Sequence, residues 1–253
     1  MTATLNERWV RQALALTLLL LTWEVLSRAG FIDPFYFPAP TVIGATIYEL
    51  FVGGSIWPHL SATLTAGLVG LGFGLLIGAA LGFAAALVRP IADLLEPIMI
   101  LLNAIPRVIL APLFIIWLGI GLGSKIAISL VLVAVLIFFA VYSGIREVDV
   151  RLVERIRTLG GNRMTLLREV YIPSVTAWIM GNLKVAVGFA FTGAVVGEFV
   201  ASTRGLGYLL SFAQSTYNAA LTLALILLVM AFVLILFGLA GWLERWLLRW
   251  RHA

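Results

Sequence analysis

The segment Leu60 to Val88 contains no charged residue, and that single run decides what kind of solvent this chain can fold in. A helix needs about 20 mostly apolar residues to cross the hydrocarbon core of a bilayer. Further runs of that kind follow along the chain: Gln12 to Ser27, which carries Glu24; Pro97 to Leu118, interrupted by Asn103, Pro106, Arg107 and Pro112; Ile126 to Ile145; Ser174 to Val196, with Lys184 inside it; and Ala219 to Leu243. In lipid each must be helical, because an unpaired strand leaves its backbone polar groups without partners. The expected fold is therefore all-α and polytopic, with about six transmembrane helices. Composition agrees: of 253 residues, 62% are hydrophobic and only 11% charged, whereas a soluble domain is about half apolar and a quarter charged.

Basic residues set the expected orientation. With the N-terminus in the cytoplasm, the inner side holds Arg8, Arg11, Arg89, Arg146, Arg151, Arg155, Arg157, Arg163, Arg168, Arg245, Arg249 and Arg251. The outer side then holds only Arg28, Lys125 and Arg204. Both termini are thus expected inside. The formal charge of +5 is explained by this distribution, and nucleic-acid binding is rejected. No cleavable signal peptide is evident, since Thr2 to Arg11 is largely polar and a small-residue cleavage site is lacking. Trp242, Trp246 and Trp250 share one helical face beside arginines, as an interfacial anchor does. The prolines and aromatics between Phe31 and Trp57 suit an external loop, with a short interfacial helix at Thr41 to Phe51.

Several function classes drop out. Cysteine is absent, which excludes thiol chemistry, and His59 and His252 are too few for a metal cluster. The run Gly119 to Lys125 lacks the Gly-Lys-Ser/Thr ending of a phosphate-binding loop and reads as a tight turn. Parts for acid–base catalysis are missing. A stand-alone secondary transporter is the competing class, but no internal repeat is visible.

Val148 to Pro173 is the one long polar loop on the inner side. Leu152, Ile156 and Leu159, then Arg163, Leu166, Leu167 and Val170, fall at helical spacings. The expectation is an amphipathic helix pair, broken at Gly160-Gly161, restarted by Asn162 and ended by Pro173. Glu154 and Glu169 disfavour simple adsorption to anionic lipid, so a protein partner is the better occupant.

Glu154-Arg-Ile-Arg-Thr-Leu-Gly160, followed by Val170, Ile172 and Pro173, resembles the EAA motif of ABC-importer permeases. Arg155 and Ile156 stand where that motif has two alanines. Pro38-Ala-Pro-Thr-Val, Ile105-Pro106, Ala111 to Lys125, Val195-Val-Gly-Glu198 and Arg204-Gly-Leu-Gly-Tyr208 resemble the subgroup that imports nitrate, sulfonates and taurine. The resemblance implies one permease domain over residues 1–253, with a first helix at 12–27, a transporter core at 60–245 and a coupling loop at 148–173. It implies that Glu154, Gly160, Gly161, Val170, Ile172 and Pro173 couple the chain to two copies of an ATP-binding subunit. ATP and Mg would bind there and not on this chain, which has no cofactor or metal site and is not an enzyme. A second copy of the permease, an extracytoplasmic substrate-binding protein and membrane lipid complete the expected partners, in the inner membrane of a bacterium.

Within the spans, ionisable groups are costly and face protein or water. Asn103, Arg107, Lys184 and Glu198 are accordingly the candidate pathway or gate residues. The expected solute is small and anionic, with a pyrimidine vitamin precursor or an aromatic acid as the alternative. Gly70, Gly74, Gly78 and Gly82 strip side chains from one helix face, which fits either tight packing within one subunit or a sliding surface.

Overall fold

A computed structural model describes residues 2–247. The side chains of residues 2–8, Arg107 and Leu247 fall outside that description, as do Arg249, Trp250, Arg251 and His252. The described residues form helices and turns: α1 (Thr2–Arg28), α2 (Pro40–Val52), α3 (Ile56–Leu87), α4 (Arg89–Ala104), α5 (Arg107–Leu118), α6 (Leu122–Arg146), α7 (Val150–Thr158), α8 (Arg163–Leu166), a π-helical turn (Leu167–Tyr171), α9 (Ile172–Val200), α10 (Leu206–Ser215) and α11 (Ala219–Leu247). Five helical runs are long and apolar enough to cross a membrane: Trp9–Arg28, Ile56–Leu87, Leu122–Arg146, Arg163–Val200 and Ala219–Trp246. The pair α4 and α5 gives a sixth if it counts as one broken span.

Three expectations change. The first helix begins at Thr2 and not at Gln12, because the polar residues before Gln12 continue the helix beyond the apolar stretch. The interrupted third span is two helices bent by 109°. Pro106 removes an N–H and biases Ile105 towards extended backbone, and Ile105 has ψ 126°. Pro173 does not end the amphipathic helix, since the chain runs on as one helical span from Arg163 to Val200. The π-turn accommodates it: Ile172 N–H bonds to Leu167 O, five residues back, and Pro173, with no N–H of its own, sits in the first turn of α9.

The chain divides into two compact units. One runs to Trp57 and includes Leu209–Met230. In it Glu24 reaches from α1 to the start of α2, accepting hydrogen bonds from Thr41 N at 3.0 Å and Thr41 Oγ1 at 2.7 Å. It thereby satisfies one of the orphan N–H groups of the α2 N-terminus, while Arg28 pairs with the same carboxylate.

The other unit, Pro58–Tyr208 with residues from Ala231 onward, is built around α6. Val133, Ile137, Val141 and Ile145 of α6 meet Leu183, Ala186, Val187, Ala190 and Phe191 of α9 in one buried cluster. Because lipid is as apolar as leucine, helices associate in a bilayer through close packing and interhelical hydrogen bonds. Both are present. Ser129 Oγ donates to Ala190 O at 2.7 Å, and a side chain on Gly193 would strike the Ser129 backbone. From α3, a Cβ on Gly70, Gly74, Gly78 or Gly82 would strike Ser129, Val133, Ala134 and Phe138 of α6 respectively. The glycine ladder of α3 is thus a packing face within the subunit.

Candidate functional site

One end of α9 carries the coupling loop that the sequence pointed to, and the other carries Glu198, one of its four pathway candidates. About 1.5 Å of rise per residue over its 29 residues separates them by the thickness of a membrane.

At the α7–α8 end, the polar loop folds as a helix, a turn and a helix. Asp149 caps α7 by accepting from Arg151 N at 2.9 Å, and Asn162 caps α8 by accepting from Thr165 N at 2.9 Å. Between them Gly160 takes φ +81°. Gly161 N–H bonds to Ile156 O, and Gly160 N–H to Arg157 O. That pair of bonds is a Schellman turn, which requires a left-handed residue and hence favours glycine. Gly161 has no room for a side chain, because a Cβ there meets Ile156. Glu154 is exposed, and so are Leu152 at 51%, Leu159 at 79% and Met164 at 67%. Ile172 is exposed, whereas Val170 is buried against the bundle. The motif residues therefore divide between an outward surface and the joint that holds it.

At the far end, Glu198 in the last turn of α9 is 1% exposed. Thr63 Oγ1 of α3 donates into its carboxylate, 2.8 Å from Oε2 and 2.9 Å from Oε1, and Gly207 N–H donates to Oε2 at 3.0 Å. Leu206 N–H donates to Thr63 Oγ1 at 2.9 Å. Gly205 has φ +126°, and a side chain there would strike the carboxylate. His59 Nδ1 accepts from Gly205 N–H at 3.1 Å, and its ring stacks on Tyr208. Beside this, Lys125, 6% exposed, donates to Ser202 Oγ, which in turn donates to Arg204 O at 2.6 Å. The cluster fastens the turn after α9 onto α3 and α6. Among the described residues no group of histidine, aspartate or glutamate could hold a metal ion.

The other candidates stand apart from both clusters. Lys184 Nζ pairs with Glu244 Oε2 of α11 at 3.1 Å, with the two side chains 51% and 27% exposed. Gly241 leaves room for the lysine stem. Asn103 is exposed in the last turn of α4, and Arg107 is the first residue of α5. Sequence reasoning missed Thr63, Lys125, Ser202 and Glu244. The long-range partners have no local pattern: Thr63 and Glu198 are 135 positions apart, and Lys125 and Ser202 are 77 apart.

A set of long apolar helices, with buried polar staples at one end of α9 and an exposed amphipathic helix pair at the other, defines a polytopic membrane protein. Residues 70–249 match the family model described as binding-protein-dependent transport system inner membrane component, and the chain belongs to that family, the membrane-spanning permeases of ABC importers. It is 34% identical to the riboflavin transport system permease protein RibX of Chloroflexus aurantiacus over 244 residues, 96% of this chain and 91% of the relative. It is 28% identical to the taurine transport system permease protein TauC of Escherichia coli over 242 residues, 93% of this chain and 87% of the relative. Among solved structures, the MetNI methionine ABC transporter in an inward-facing conformation matches with TM-score 0.59 at 23% identity, covering 75% of this chain and 93% of that one. That last likeness speaks for the fold.

Proposed function

We propose that this permease forms the translocation pathway of an importer in which an extracytoplasmic binding protein delivers a small solute and a separate ATP-binding subunit docks on the loop 148–173. The observation that carries the reading is the exposed surface of that loop. Glu154, Leu152, Leu159 and Met164 project from a helix pair whose turn needs Gly160, and the Glu154, Gly160 and Pro173 register is that of the EAA motif. An exposed apolar stripe rimmed by charge marks a protein contact. ATP-driven closure of two such subunits would tilt the helix pair, and the unbroken helix from Arg163 to Val200 would carry that movement across the membrane. With five or six spans per chain, a shared cavity calls for a second copy, and a C₂ homodimer is the commonest arrangement. Both termini then lie in the cytoplasm of a bacterial inner membrane.

The solute is small and, on the first reading, anionic like a sulfonate. The cation that supports this is Arg107, since Lys184 is already paired with Glu244. A heteroaromatic vitamin or precursor is the second reading, favoured by the 34% identity to a riboflavin permease against 28% for the taurine permease. Uptake assays with taurine and riboflavin as competing solutes separate the two.

The docking assignment is tested by co-purifying the chain in detergent with its ATP-binding subunit. Wild type should retain the subunit, while Glu154→Lys and Gly160→Val should lose it with membrane insertion unchanged. Equal retention by all three would refute the docking surface.

A further inference from the structure

Where α7 and α8 meet the end of α3, a cavity of about 560 Å³ opens. Its walls are Leu87, Met164, Leu166, Leu167 and Tyr171, and its charged groups are Arg157 and Arg163; Met164 also belongs to the exposed stripe of the helix pair. No carboxylate lines it. Three basic groups of this unit have partners: Lys184 has Glu244, Lys125 has Ser202, and Arg146 donates to Tyr142; Arg89, Arg151, Arg155 and Arg168 have none among the described residues, and none of those four lines the cavity. Arg157 and Arg163 have no ion-pair partner among the described residues. The Tyr171 hydroxyl likewise makes no hydrogen bond there. The residues that carry these three unused donors line one space whose remaining walls are apolar.

We infer that this cavity holds the phosphate of an anionic phospholipid between Arg157 and Arg163, with an acyl chain along Leu87. The depth fits a lipid: Leu87 is the last residue of the span Ile56–Leu87 and is 47% exposed, so the cavity wall lies where the hydrocarbon core gives way to headgroups. Planar guanidinium groups bind phosphate oxygens in a bidentate way, and basic pockets beside transmembrane helices on the cytoplasmic side bind acidic headgroups. An acidic segment of a soluble partner would have to displace lipid to reach the end of α3, so it fits less well. The inference rests on the proposed cytoplasmic placement of this loop but does not need the ATP-binding subunit. Occupied, the site would hold α7 and α8 against α3 and make the joint of the helix pair sensitive to lipid composition.

The test is native mass spectrometry of the full chain, purified in mild detergent and titrated with phosphatidylglycerol or phosphatidylcholine. Wild type should retain phosphatidylglycerol in preference. Arg157→Gln and Arg163→Gln should each weaken that retention roughly fivefold, and the double variant by the product. Arg151→Gln with Arg168→Gln, outside the cavity, should leave it unchanged, and thermal unfolding of every variant should match wild type. Equal losses in both double variants would reduce the effect to general attraction and overturn the site. Full displacement by millimolar inorganic phosphate would assign it to a free anion instead. Lipid retention unchanged in Arg157→Gln/Arg163→Gln, with capture of the ATP-binding subunit lost, would make it a protein contact.

Discussion

The carboxylate of Glu198 receives a hydroxyl and a backbone N–H, and no water can replace it in a site 1% exposed. Glu198→Ala leaves those buried donors unsatisfied, at a cost of about 1–3 kcal/mol. Thermal unfolding of the detergent-solubilised protein should show that loss, and Glu198→Gln, which keeps one acceptor oxygen, should lose less. Gly205→Ala should cost at least as much, since φ +126° and the neighbouring carboxylate both refuse a side chain. Lys184 and Glu244 behave differently because they form a pair within a span. Either Lys184→Met or Glu244→Leu alone strands a charge, so the double variant should be the more stable by on the order of 1 kcal/mol. Strictly additive losses would show that the 3.1 Å contact carries no coupling.

Within the unit Pro58–Tyr208, α6 is the element against which α3 and α9 pack. It is flanked by the glycine face of α3 and by the small residues of α9, so helix separation is set by the absence of side chains. Gly74→Leu should abolish that approach, because Val133 and the Leu130 carbonyl occupy the space. The expected readout is loss of monodisperse protein in gel filtration. A monodisperse Gly74→Leu variant defective only in uptake would instead favour a sliding interface. The glycine spacing was legible in the sequence because it is local, and so were the break at Gly160-Gly161 and the helix start at Asn162. The π-turn was not, because Pro173 reads as a stop wherever helices are assumed to keep one hydrogen-bond register. The α4–α5 bend was half legible: Pro106 marks the break, but the angle depends on neighbours that no local pattern names.

For the molecule as a whole, hydropathy fixed the class, since each span is a continuous run whose solvent can only be lipid. The buried staples at the far end were invisible for the opposite reason, as they join residues up to 146 positions apart. Topology has a simple check, because the chain contains no cysteine. Single cysteines at Leu159 and at Thr203 can be labelled in cells with a membrane-impermeant maleimide. Label should reach position 203 from outside and position 159 only after the membrane is opened; the reverse pattern would invert the permease.

The measurement that decides most is solute uptake into proteoliposomes holding this chain, its ATP-binding subunit and its binding protein. Uptake should require ATP and all three components, should proceed without an ion gradient, and should vanish in Gly160→Val while the variant remains folded. Uptake by the permease alone, driven by a proton gradient and indifferent to ATP, would contradict the coupling described here.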